Sequence, residues 1–292
     1  MYPGLERSVE EHARILREKP LREIEAATSA KRLRWLTEHA AHRRRSPLTP
    51  RSLFEILFFE YLGLRREDLP VVSESESQVT WLSMNACPTL EACIRLGLDT
   101  RTVCKGAYER STQAFLSWFD PRFRFIRDYS QIRPHSQNCK EQIVRMEFEK
   151  LMRSSIAEAR ASLVTGNKGY GAAVVLGESV LSCRHDTAAS EGDPSLHAEV
   201  NAIRDAVRAW GSADLSGGVL VSTCEPCPMC SSLAVWSNLS AIVFGASIEK
   251  TAALGRARIL VSAREIVDRS PVTIEVIGGV LEEECLELYG AA

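Results

Sequence analysis

His197-Ala198-Glu199 and, thirty positions beyond that histidine, Pro226-Cys227-Pro228-Met229-Cys230 are the segments of this 292-residue chain whose residue types and spacing point to chemistry. A catalytic zinc ion usually keeps three protein ligands and one open position for water. One imidazole and two thiolates make such a set. Cysteines three apart in the first turn of a helix share a face, and a helix N-terminus favours thiolates through its free N–H groups and positive dipole end. Pro226 and Pro228 suit a helix start, where a missing N–H is no loss. Bound zinc lowers the pKa of its water to roughly 7. Glu199, two residues past the histidine, is placed to reach that water without binding the metal. A carboxylate there takes the water's proton and delivers it to a ring nitrogen and then to a leaving amine. That is the work needed to replace C–NH2 by C=O on an aromatic heterocycle.

Taken singly, these segments say little. A Cys-x-x-Cys pair also serves redox and structural sites, and His-x-Glu is commonplace. In this order, each opening a helix and each preceded by strands, they match the signature of zinc-dependent deaminases. A purely structural zinc site ordinarily takes a fourth protein ligand. Cys224 is the nearest spare thiol, and it is expected at the end of the strand leading to the site.

The elements that must position these residues follow from the apolar pattern. Gly171 to Leu176 and Ser179 to Cys183 are short apolar runs parted by Gly177-Glu178, as in a β-hairpin. Leu196 to Trp210 reads as a helix, Val219 to Ser222 as a strand, Cys227 to Trp236 as a helix and Ala241 to Phe244 as a strand. Short helices at Ile248 to Leu254 and Arg264 to Arg269, a strand at Val272 to Ile277 and a helix at Leu281 to Tyr289 complete an α/β layered domain. Upstream, residues 5 to 45 read as charged helices, with His42-Arg43-Arg44-Arg45 a solvated basic end. Ser46-Pro47-Leu48-Thr49-Pro50 is a break, Arg51 to Leu62 an amphipathic helix, Glu67 to Ser77 a polar loop and Val79 to Met84 a strand. Helices through Leu90 to Leu96 and near Tyr108 to Trp118 follow, then a strand at Phe123 to Ile126. A long connecting helix is expected from about Ser136 to Thr165. The expected division is an N-terminal accessory domain over 1–135, serving small-ligand binding or dimerisation, and a deaminase domain over 136–292.

Composition narrows the class. The apolar fraction of 45% and charged fraction of 25% are ordinary for a soluble globular protein. No apolar run approaches the roughly 18 residues of a membrane span. The N-terminus is rich in Arg and Glu, unlike a signal or transit peptide, so a cytoplasmic location is the expectation. Residues 151–292 hold 11 Lys/Arg against 17 Asp/Glu. A domain that grips a phosphate backbone usually shows a basic face, so nucleic acid is not the expected partner. Nine cysteines, an odd number, fit buried, metal-bound or catalytic roles better than disulfides in such a chain.

Leu196-His197-Ala198-Glu199-Val200-Asn201-Ala202-Ile203-Arg204 and Thr223-Cys224-Glu225-Pro226-Cys227-Pro228-Met229-Cys230 resemble the cytidine deaminase-like superfamily. They look most like its branch of guanine, cytosine and tRNA adenosine deaminases, over about residues 137–290. The resemblance implies a three-layer α/β/α domain with a mixed sheet, here preceded by a smaller α+β or mostly helical domain. It also implies Zn2+ held by His197, Cys227 and Cys230, Glu199 as proton shuttle, and usually a homodimer. Ala198 and Cys227 should offer backbone N–H groups to the substrate, with His197 part of the face on which the base stacks.

One departure is informative. Members usually carry an asparagine, whose amide binds the base edge, seven positions before the Asp-Pro that precedes the zinc histidine. Here that position is Asp186. An ionised carboxylate only accepts hydrogen bonds, whereas an amide also donates. Asp186 therefore points to a substrate with N–H or NH2 donors at that edge, such as a 2-amino heterocycle. The alternative is a shifted loop that leaves Asp186 exposed.

Asn85-Ala86-Cys87-Pro88-Thr89-Leu90-Glu91-Ala92, Cys104, Phe119-Asp120-Pro121 and Cys139 look like the L-2-amino-thiazoline-4-carboxylic acid hydrolase-like family, over about residues 50–142. That resemblance implies a small α+β unit related to ligand-sensing modules, and no hydrolase activity is carried over. Cys87, Cys104 and Cys139 either bind a metal or small ligand or pack as small hydrophobes. Trp236 is expected in the core of its helix, and Phe119, Phe123 and Phe125 in the core of the first half. His135 and His185 are read as surface or loop residues, and Tyr289 as a packed helix end rather than a flap over the pocket.

Three functions stand in order. The first is hydrolytic deamination of a free nucleobase, nucleoside or related amino-heterocycle. The second is deamination of adenosine in tRNA, which needs a basic surface and a base-flipping groove. The third is a two-domain ligand sensor with weak or no deaminase activity, against which stand the complete ligand set and Glu199.

Overall fold

In the computed structural model, which describes residues 5–45 and 47–290, the chain separates between Met146 and Glu147 into two units. Ser46 of the expected break lies outside the described residues.

The first unit begins with α1 (Leu5–Glu18) and α2 (Leu21–His39), each burying only a narrow stripe, which is why their sequence reads as charged. Thr49 opens α3 (Pro50–Glu55) with a capping box to Ser52, and Pro50 takes the first helical position. The helix then widens into a π turn over Ile56–Tyr61. Next come β1 (Val71–Glu74), β2 (Gln78–Ser83), α4 (Pro88–Leu96), α5 (Thr100–Cys104), α6 (Arg110–Phe119), β3 (Phe123–Arg127) and β4 (Cys139–Arg145). The strands form one antiparallel sheet in the order β1-β2-β4-β3. Trp81 is fully buried against Phe54, Phe58 and Phe125. Its Nε1 donates to Glu141 Oε2 at 3.1 Å, giving the buried indole its partner. Phe119 and Phe123 join the same core, as expected.

Two expectations are corrected here. The stretch expected to be a polar loop contains β1, an edge strand paired only with β2 and too exposed to show apolar alternation. The single helix expected over Ser136 to Thr165 is a strand followed by a helix. Cys139–Arg145 lies between β2 and β3, paired on both sides, and helix α7 (Phe148–Val164) starts after it. The adjacent apolar residues Ile143 and Val144 suit either period, and long-range pairing decides between them.

The second unit continues from α7 through β5 (Gly171–Leu176), β6 (Ser179–His185), α8 (Ala188–Glu191), α9 (Ala198–Trp210), β7 (Val219–Cys224), α10 (Pro228–Trp236) and β8 (Ala241–Ala246). It closes with α11 (Ile248–Ala253), α12 (Ala263–Asp268), β9 (Glu275–Ile277) and α13 (Glu282–Gly290). The sheet order is β6-β5-β7-β8-β9; pairings to β5 are antiparallel, and β7-β8 and β8-β9 are parallel. The sheet is therefore mixed. Ala172, Val174, Leu220 and Ile242 form one face and pack with Ala198, Ala202 and Ala206 of α9 and Ala234 of α10. α7 lies against the other face, where Gly171 lets the helix backbone approach: a Cβ there would fall 1.9 Å from Ser155 O. α13 packs on β8, and its buried Tyr289 donates from its hydroxyl to Thr223 Oγ1 at 2.8 Å, the packed helix end expected.

Trp236 is a further correction. It ends α10 at 73% exposed, because Cys230, Ser231, Ala234 and Val235 make up the buried side of that helix. Among the described residues, no helix is long and apolar enough to cross a membrane.

Candidate active site

Each of the two chemically suggestive segments caps a helix, the first after the turn at 193–196 and the second just past the end of β7. His197 is the N-cap of α9 (φ −67°, ψ 156°), and Cys227 is the N-cap of α10 (φ −64°, ψ 169°). Ala198 and Pro228 therefore open their helices. The first N–H groups of a helix have no partner within it, which leaves that of Ala198 free for a ligand. Between β7 and α10, Glu225 holds the turn. Its Oε2 accepts from Ile248 N–H at 3.0 Å and its Oε1 from Ala263 N–H at 2.9 Å, the first residues of α11 and α12. A carboxylate at two helix N-termini is favoured by both dipoles. Ser231 Oγ donates to Pro226 O at 3.0 Å and closes the same turn from the α10 side.

This scaffold gathers the three expected donors. Cys227 Sγ lies 3.7 Å from His197 Nδ1, Cys230 Sγ lies 3.6 Å from the same atom, and the two sulfurs are 3.7 Å apart. Tetrahedral zinc with bonds of about 2.3 Å to sulfur and about 2.0–2.1 Å to nitrogen sets its ligands roughly 3.5–3.8 Å apart. The spacing and the donor chemistry both fit that ion. Among the described residues, this is the one group of His, Cys, Asp or Glu whose ligand atoms converge, all within 4.8 Å. The Cys230 thiol beside it, opposed by burial and aided by His197, draws the Cys227 thiol down to about 4.

Glu199 sits in the first turn of α9 and is 6% exposed. Its Oε2 is 3.5 Å from Cys230 Sγ, and its Oε1 accepts from Ser222 Oγ at 3.1 Å. Burial, and then the neighbouring Cys227, push its pKa up. The carboxylate thus borders the donor triad and is anchored from a different element, β7.

Asp186 follows β6 and is buried, 1% exposed, so the alternative of an exposed loop is set aside. Its N–H donates to Tyr170 O at 3.0 Å, and its carbonyl accepts from Ser162 Oγ at 3.0 Å. Its Oδ1 accepts from Ala188 N–H at 3.3 Å. Its charge contributes to raising the His197 pKa, after the effect of Cys227. Asn201 ties this segment to α9, donating from Nδ2 to His185 O at 2.9 Å and Thr187 Oγ1 at 3.1 Å.

Other side chains stand apart from the triad. Cys224 ends β7, as expected, and its Sγ accepts from Arg258 Nη2 at 2.7 Å. Cys87, Cys104 and Cys139 form no converging donor group. His135 is exposed beside Asp99, and His185 pairs with Glu158 at 2.6 Å. Ser222, Glu225, Asn201 and Arg258 are the supports that the sequence reading passed over. The signal for Ser222 is a hydroxyl closing the apolar run Val219-Leu220-Val221, and for Glu225 an acid directly before Pro226-Cys227.

Fold and site together define a hydrolytic deaminase of the zinc type. Residues 146–246 match the family described as the cytidine and deoxycytidylate deaminase zinc-binding region. A tRNA-specific adenosine deaminase of Bacillus subtilis (strain 168) is 34% identical over 137 residues, covering 47% of this chain and 83% of that protein. A guanine deaminase of the same organism is 30% identical over 111 residues, covering 38% of this chain and 71% of the relative. The solved guanine deaminase from Nitrosomonas europaea is 23% identical and aligns over 49% of this chain and 85% of its own, with a TM-score of 0.44. The chain belongs to the cytidine and deoxycytidylate deaminase zinc-binding family, through its second half, and Zn2+ is the cofactor of that family.

Proposed function

We propose that this enzyme deaminates a free nucleobase, nucleoside or related amino-heterocycle and releases ammonia, acting as a homodimer. The observation that carries the proposal is the placement of Glu199, buried, held by Ser222 and 3.5 Å from Cys230 Sγ at the edge of the donor triad. His197, Cys227 and Cys230 hold Zn2+, which when bound supplies a water activated for attack at neutral pH. Glu199 would accept one proton of the attacking water and give it to the ring nitrogen, then carry the second from the new hydroxyl to the departing amine, so that C–NH2 and water become C=O and ammonia. The backbone N–H groups of Ala198 and Cys227 orient the substrate at the two helix starts.

Asp186 supports a substrate with hydrogen-bond donors on one edge. Its carboxylate is buried, felt electrostatically at His197, and engaged in one long hydrogen bond at 3.3 Å. A carboxylate in that position selects a 2-amino heterocycle over one that presents acceptors. The balance of 11 basic against 17 acidic residues in 151–292 favours a small substrate over a phosphate backbone.

The second reading is deamination of adenosine in tRNA, the activity by which the Bacillus subtilis relative is named. The third is a ligand-sensing protein with little turnover. The test is ammonia release by the zinc-loaded protein on a panel of purines, pyrimidines, triazines and tRNA, with Glu199→Ala as control. The proposal expects turnover of a free 2-amino heterocycle and a changed preference in Asp186→Asn. Turnover of tRNA alone, with steep salt dependence, establishes the second reading. Binding without turnover establishes the third.

A further inference from the structure

A cavity of about 610 Å3 lies within the first unit and is lined by residues of that unit alone. Its volume is in the range of roughly 300–1,000 Å3 typical of small-molecule sites. Three arginines reach it from different elements: Arg32 from α2, Arg127 from the end of β3, and Arg133 from the segment before β4. Each has a buried guanidinium nitrogen with no hydrogen-bond partner among the described residues, namely Arg32 Nε, Arg127 Nη1 and Arg133 Nε.

The charges do not balance. Arg127 is paired with Glu141, at 2.6 Å. The other Glu141 oxygen is already taken by Trp81 Nε1 and Ser83 Oγ. Arg133 Nη1 donates to a carbonyl, Asn85 O, at 2.8 Å. Arg32, 7% exposed, donates from Nη1 to the hydroxyls of Ser111 at 2.9 Å and Thr112 at 2.6 Å and has the Tyr61 ring 6.0 Å away. Among the described residues, no carboxylate pairs with it. Burial pulls its pKa down to about 10, which still leaves it charged at neutral pH. Lys19, Lys31 and Glu11 also line the cavity but are exposed to solvent. A buried charge is costly unless it is paired and hydrogen-bonded. The cavity therefore holds more buried positive charge than its own acids neutralise.

Much of the remaining wall is apolar. Leu57, Phe58 and Ile132 line the cavity and are buried. Cys104 lines it too, and burial pushes its thiol up to about 12, so it adds no negative charge.

We propose that this cavity binds a small organic anion, whose carboxylate or phosphate is taken by Arg32, Arg127 and Arg133 and whose apolar body lies against Leu57, Phe58 and Ile132. Arginine donors in a planar fork suit either oxyanion. A purely structural role for Arg32 is not required by its partners. The hydroxyls of Ser111 and Thr112 each also donate to Tyr108 O, at 2.8 and 3.0 Å, and stay satisfied without it.

Calorimetric titration of the full chain with benzoate, phenyl phosphate and the neutral isostere benzamide tests this. At least one anion is expected to bind at least about tenfold more tightly than benzamide, and the stronger of the two identifies the oxyanion. Arg133→Gln and Arg32→Met are each expected to weaken that binding by about tenfold or more. Ligand-free Arg32→Met is expected to melt at the same temperature as the parent or higher, since an unpaired buried charge is gone. If Arg32→Met does not fold, it is a structural residue, and the proposal is overturned for Arg32. Arg133→Gln then decides the site. Failure of both anions to bind, equal binding of benzamide, or unchanged affinity in Arg133→Gln overturns the proposal as a whole.

Discussion

Ser222 Oγ donates to Glu199 Oε1 at 3.1 Å, and both residues are buried. The bond joins β7 to the first turn of α9, so one oxygen of the carboxylate is held from the sheet while the other faces Cys230 Sγ. A hydrogen bond to a charged group is worth about 1.5–3 kcal/mol. Ser222→Ala is expected to lower kcat by about 10- to 100-fold with KM changed little, and to leave zinc content intact. Steady-state kinetics with metal analysis checks this; unchanged kcat would mean Glu199 is positioned by something else.

Glu225 is the clamp behind the cysteine turn. Glu225→Gln keeps an acceptor for one of Ile248 N–H and Ala263 N–H and sets an amide N–H against the other. A buried donor left without its charged partner costs about 1–3 kcal/mol. Urea denaturation is expected to show a loss of that order, together with faster release of zinc to a chelator. A stable variant with normal metal retention contradicts the clamp.

Asp193 shapes the turn that presents His197. Its Oδ1 accepts from Ser195 Oγ at 2.7 Å and from Ser195 N–H at 2.8 Å, and these bonds hold its pKa below the ordinary 3.8. The sign follows from linkage. A lowered carboxylate contributes stability that is complete above 3.8 and is lost as pH falls through its lower folded value. Asp193→Asn keeps the acceptor but removes the titration. The parent is expected to melt above this variant at neutral pH, with the gap shrinking as pH falls below the usual aspartate range. A gap independent of pH contradicts the assignment.

How much of this was legible in the sequence depends on the range of the interactions. His197, Glu199, Cys227 and Cys230 stand out because ligand spacing, helix capping and proline placement are local. Much of the second unit is legible for the same reason: β5, β7 and β8 are short, buried apolar runs, and Gly177-Glu178 marks the turn between β5 and β6. The Ser222 bond to Glu199 joins residues 23 apart, the Ala263 bond to Glu225 spans 38 and the Arg258 bond to Cys224 spans 34. The position of Ser222 or Glu225 can be noticed locally, but nothing local says which residue it will meet. The strand Cys139–Arg145 escaped for a related reason: what makes it a strand is pairing with β2, some 60 residues upstream, as the Thr80 to Gln142 contact shows with its separation of 62. Trp236 was misplaced because its type favours burial while its position on α10 turns it outward.

Metal content of the purified chain, measured by mass spectrometry beside that of His197→Ala, Cys227→Ser, Cys230→Ser and Glu199→Ala, tests the central claim most directly. The account predicts stoichiometric zinc in the parent and in Glu199→Ala, with Glu199→Ala at least about 100-fold less active, and loss of zinc in the three ligand variants. A parent that holds no zinc, or ligand variants that keep it in full, contradicts the account.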